Sequence, residues 1–144
     1  MASKVGRLFP TSIERCHALG YSNSPGFPLT AKNELNYNMY LSSQAHIRGL
    51  AVGLKNNGGQ ISALASHYDF AVNEQCHEFD ECAAYKTFIA LGKPILNVEY
   101  HQRYLHDRNG AFIALCSAAR SGMLYTLVLP LMLDGTLRLR YQNS

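Results

Sequence analysis

The side chains of this sequence best suited to chemistry follow short apolar runs. Lys55 and Asn56 come after LAVGL, Asn73 and Glu74 after FAV, and Asn97 and Glu99 flank Val98. In a parallel α/β sheet the carboxyl ends of the strands and the loops behind them converge on one mouth. Two carboxylates, one amine and several amides would then face a common cleft. Such a set fits glycosyl transfer, in which a protonated carboxyl gives its proton to the leaving oxygen and a second, ionised, acts as nucleophile or as base for water. The competing reading of Glu74 is structural: a strand-end carboxylate that caps the next helix or pairs with Lys55. The same alternative stands against Glu99.

His67, Cys76, His77, Cys82, His101 and His106 offer ligand atoms, but no CxxC, HxH or HExxH orders them. No metal site is expected. Cys76 and Cys82, with five residues between them, either form a local disulfide or remain small buried thiols. The glycine pair Gly58-Gly59 follows a strand, yet no GxGxxG or Walker pattern surrounds it, so it reads as a loop and no cofactor is implied.

The elements that must position these residues are legible as a repeated unit. Residues 50–54, 70–72, 95–98 and 124–129 are short runs rich in Val, Ile and Leu, as expected of strands buried on both faces. Between them apolar residues recur at helical steps: Tyr37, Tyr40, Leu41 and Ala45, then Ala84, Phe88 and Leu91, then Phe112, Leu115 and Ala119. Gly49, Gly92 and Gly122 fall just past these patterns, where a left-handed residue ends a helix. Thr30 and Asp80 are expected N-caps, and a short helix is expected over 60–65. Strand then helix, repeated about four times, specifies an α/β fold, either doubly wound or closed as a barrel; the barrel reading makes the strands parallel neighbours in chain order with right-handed crossovers.

With 144 residues, 47% of them hydrophobic, the chain has material for one domain. Its 13 Lys and Arg residues give a formal charge of only +3 and form no stripe, so nucleic acid is not an expected partner. No apolar run reaches the roughly 18 residues of a membrane helix. The opening MASKVGRLFPTS has no apolar core of a secretory leader.

Five stretches carry a family resemblance: GFPLT at 26–30, GLKNN at 53–57, YDFAVNEQC with FDEC across 68–82, GKPILNVEY at 92–100 and YTLVLPLMLDG at 125–135. Together they resemble the successive barrel motifs of glycoside hydrolase family 114, over about residues 20–135. The resemblance implies the C-terminal half of a (β/α)8 TIM barrel, with residues 1–19 an atypical leading segment and 20–144 the barrel half. It implies an extracellular endo-α-1,4-polygalactosaminidase or α-galactosidase-like enzyme acting on galactosamine-containing polysaccharide, with one Asp and one Glu as catalytic pair. Glu74 takes the position of that Glu. Lys55, Asn56, Asn73, Glu99 and Tyr100 are the expected sugar-binding residues, and an extracellular setting favours the Cys76–Cys82 bridge.

The family Asp lies in a DPDN-like segment just before the Gly-Tyr matched by Gly20-Tyr21; here Cys16 takes its place, and Glu14 falls two positions early. The first four barrel units are not matched, and the first dozen residues resemble no barrel strand. The expectation is a truncated form, weakly active or inactive. The alternatives are a sugar-binding half-barrel without catalysis, or a half-barrel that self-associates through exposed edges at 50–54 and 124–129.

Overall fold

In the computed structural model the described residues are 9–10, 26 and 28–132. Glu14, Cys16, Gly20 and Tyr21 lie outside the described residues. Five strands form one sheet in chain order: β1 (Phe9–Pro10), β2 (Val52–Lys55), β3 (Phe70–Glu74), β4 (Ile95–Glu99) and β5 (Tyr125–Val128). Every neighbouring pair is parallel. The four strands expected from the apolar runs are all present, each within two residues of its expected bounds. β1 was not expected: the leading segment supplies a strand after all. It covers β2, which is therefore no sheet edge.

Between the strands lie α1 (Ala31–Ile47), α2 (Ile61–Leu64), α3 (Lys86–Ala90), α4 (Gln102–Leu105) and α5 (Ala111–Ser121). This is an α/β fold of the partial-barrel kind. Thr30 caps α1 in a reciprocal box: its hydroxyl accepts from the Asn33 amide at 3.2 Å, while Asn33 Oδ1 accepts from the Thr30 amide at 3.0 Å. The inward stripe of α1 is Leu35, Met39, Ser42 and Ala45. Tyr37 and Tyr40, expected on that stripe, are exposed; Tyr37 stands two positions, about 200°, around the helix from Leu35. Phe112, Leu115 and Ala119 of α5 are buried as their spacing requires. Asp80 caps nothing. It sits in a left-handed turn at φ 57, and the helix begins instead as a 3-10 turn at Cys82–Tyr85 with no side-chain cap. Gly49 and Gly92 take the left-handed C′ conformation, but Gly122 does not, and Met123 turns the chain at φ 53. Glycine at 122 serves space, since a Cβ there would lie 2.6 Å from Leu124 Cδ1.

The two faces of the sheet differ. In β3 and β4, Ala71, Asn73, Ile95, Asn97 and Glu99 are buried and alternate with more exposed positions. Asn73 pairs with Asn97 and Glu74 with Val98, so alternation assigns the asparagines and Glu99 to the helix-covered face and Glu74 to the other. The helix side holds the core: Val52, Leu54, Ala71 and Ile95 pack with Ile61, Leu64, Tyr68, Tyr85 and Phe88. A second cluster joins Tyr104, Phe112, Leu115 and Val128. The opposite face, the one that lines the inside of a closed barrel, leaves Leu96 40% and Tyr125 66% exposed. Among the described residues no helix is long and apolar enough to cross a membrane.

Candidate active site

Glu74 ends β3 on the open face, and two neighbours hold its carboxylate. Lys55 Nζ, from the end of β2, lies 3.1 Å from Oε2. The Tyr100 hydroxyl, just past β4, donates to Oε1 at 2.8 Å. Partial burial pushes the Glu74 pKa up, but the hydrogen bonds from Tyr100 and Lys55 and the Lys55 charge outweigh it and hold the group below the ordinary carboxylate range. The free site therefore carries Glu74 as an anion. Burial, reinforced by the bond to Glu74, pushes the Tyr100 phenol well above its usual value, so it stays a hydrogen donor.

The backbone is shaped around this carboxylate. Asn56 and Asn57 leave β2 in left-handed conformations, and Gln75 leaves β3 at φ 62. A long side chain in that region is strained by about 1 kcal/mol or more. Asn56 Oδ1 accepts from the Glu74 amide at 3.2 Å and from Asn73 Nδ2 at 3.4 Å. Asn73 Nδ2 also donates to the Tyr85 hydroxyl at 2.6 Å. Burial raises the Tyr85 phenol to about 12. A cleft of about 660 Å³ opens between the loops that follow β2 and β3, walled by Asn56, Gly58, Glu74, Phe79, Asp80 and Glu81.

The open face thus brings Lys55, Asn56, Glu74 and Tyr100 together, with Asn73 reaching in from behind. Glu99 is not among them. It lies at the same end of the sheet but is fully buried on the helix side, because it stands one residue out of phase with Val98 on a strand of period two. A sugar in the cleft cannot touch it. Its Oε1 accepts from the His77 amide at 2.9 Å and from Asn97 Nδ2 at 3.0 Å. The expected pairing of Glu74 with Lys55 is present, and it joins the Tyr100 hydrogen bond in lowering the Glu74 pKa.

Cys76 and Cys82 form a disulfide with Cα atoms 4.8 Å apart, closing the loop behind Glu74. Their sulfurs lie within 4.8 Å of a His77 nitrogen, but bonded to each other they offer no thiolate to a metal. Sequence reasoning missed Tyr85, Asp80 and Glu81. The acidic pair carried a weak signal as charges in the loop after a strand; Tyr85 carried none, because its contact with Asn73 spans the loop.

A family model for glycoside hydrolase family GH114 matches residues 18–143. The chain belongs to this family. A solved structure, Aspergillus fumigatus Ega3 in complex with galactosamine, is similar with a TM-score of 0.69 and 28% identity, covering 85% of this chain and 51% of that one. The chain thus spans about half the length of that structure. No curated protein matches.

Proposed function

We propose that this chain carries one carboxyl half of a glycoside hydrolase active site that takes galactosamine-containing polysaccharide of the endo-α-1,4-polygalactosaminidase kind, outside the cell. The observation that carries this reading is the Glu74 carboxylate at the strand ends, clamped between Lys55 and Tyr100 on the face that lines a barrel. Asp80 and Glu81 beside Glu74 in the cleft suit a protonated amino sugar. The galactosamine bound by the similar Ega3 structure supports the same substrate class. As an anion, Glu74 is set to act as nucleophile or base. To give a proton instead it must be raised by the negative charge of a second carboxylate or by desolvation under the sugar.

Alone, the chain hydrolyses its polysaccharide far more slowly than a complete barrel. Two carboxyl groups must flank one bond, about 5 Å apart in retaining and about 6.5 to 9.5 Å apart in inverting enzymes. The resemblance of the leading segment puts Cys16 where the family Asp is expected, ahead of the residues 18–143 that the family model matches, and a thiol of ordinary pKa is mostly protonated at neutral pH. Galactosamine oligomers titrated into the chain and into Glu74→Gln, with reducing ends followed in parallel, test both statements. The expected result is binding, weakened about tenfold by the substitution, with reducing ends near background. Absence of binding sinks the carbohydrate site; rapid turnover abolished by Glu74→Gln sinks the claim of low activity.

A further inference from the structure

The loop between β3 and the Cys82–Tyr85 turn carries the cleft wall and leaves directly from Glu74. Its hydrogen bonds are mostly internal: the Glu78 and Phe79 amides donate to Gln75 O, Glu81 N donates to Cys76 O, and Gln75 Nε2 donates to Glu78. The disulfide is also internal. Two described bonds tie the segment to β4. Gln75 N donates to Val98 O at 2.7 Å, and His77 N donates to Glu99 Oε1 at 2.9 Å. The second is the anchor beyond the strand end. Glu99 is itself fixed from two sides, by Asn97 Nδ2 at 3.0 Å and by its own carbonyl accepting from Leu129 N at 3.0 Å.

A carboxylate is an expensive choice for that position. On the same helix-covered face Val128 stands opposite Glu99, and Ile95 and Ala71 lie farther down the strands beyond Asn97 and Asn73; an apolar side chain at 99 would avoid the desolvation cost altogether. Glu99 Oε2 is buried without a partner, as is Nε2 of His77. The carboxylate is accounted for by what its other oxygen holds. We propose that Glu99 is a positioning residue, whose buried carboxylate fixes the loop 75–82 through the His77 amide and so sets where Glu74 stands. It acts from behind the sheet and touches no sugar; the importance of Glu74 itself rests on the functional reading above.

Amide hydrogen exchange and carboxyl-carbon NMR on the full chain test the proposal. In Glu99→Ala, amides 76–79 are expected to exchange at least about tenfold faster while those of α1 and β2 keep their rates. The Glu74 carboxyl resonance should shift in the same variant. Glu99→Gln keeps an oxygen at the acceptor position and should return loop exchange to within about threefold of the unmodified chain. Uniform loss of protection throughout the chain with the Glu74 resonance unmoved would show a purely structural role and overturn the proposal, as would an unchanged loop. If Glu99→Ala does not fold, the unmodified chain still decides: its His77 amide must exchange at least about a hundredfold slower than an unstructured one, and an unprotected amide refutes the anchor. None of these readouts uses a sugar, so failed oligomer binding would defeat the carbohydrate reading and leave this one standing.

Discussion

Replacing Lys55 with Met removes the one cation paired with Glu74 among the described residues, and its consequence follows from the contact. At 3.1 Å the bare Coulomb attraction is about 1.3 kcal/mol in water and about 5 kcal/mol at an effective dielectric of about 20. The side chains are 21% and 36% exposed, so solvent screens the pair and ordering both side chains offsets part of the gain. A net contribution of about 1 kcal/mol is the discounted figure, and it corresponds to a fall of about 3 °C in Tm for a chain of this size. The Glu74 pKa must rise in the variant, because burial then faces only the Tyr100 hydrogen bond. Glu74 is depressed below its ordinary 4.5 in the folded chain, so its stabilisation is complete above that value and is lost as pH falls through the folded pKa. Carboxyl-carbon NMR across an acid titration reads the shift, and thermal melts at pH 7 and pH 3 read the linkage. Lys55→Met should narrow the stability gap between those two pH values, whereas Lys55→Arg should preserve it. An unchanged Glu74 pKa in Lys55→Met, or an equal shift in Lys55→Arg, would refute the electrostatic account.

Two further outcomes test the scaffold. Converting both Cys76 and Cys82 to Ser opens a bridge of sequence separation 6 and should cost about 2 kcal/mol by loop-closure entropy, measured by urea denaturation of the pure variant beside the oxidised chain. Gly53→Ala would place a Cβ 2.3 Å from the Phe70 ring and should destabilise by about 1 to 3 kcal/mol; the double variant Gly53→Ala with Phe70→Ala should show coupling in a double-mutant cycle, and strict additivity would show that the ring is not what the glycine makes room for.

The residues themselves determined the kind of fold. Four short runs rich in Val, Ile and Leu alternate with helix-period stretches, and that rhythm specifies an α/β fold with a parallel sheet; that the strands pair in chain order is seen in the folded sheet. The amino acids also determined that polar chemistry gathers at the strand ends, and the FAVNEQC and NVEY segments carry a resemblance to one family. What the sequence left undecided was face. Glu74 and Glu99 both end a strand, and period two sends one to the cleft and the other to the core according to a single residue of register, which depends on how neighbouring strands pair and not on either segment alone. The same holds for α1, where Tyr37 and Tyr40 share a helical spacing with the buried stripe but are turned to solvent by the position of the sheet. Register and rotation are settled by contacts between segments far apart in the chain, such as Asn73 with Tyr85 or His77 with Glu99, and a local pattern holds no information about a partner that only the folded chain brings near.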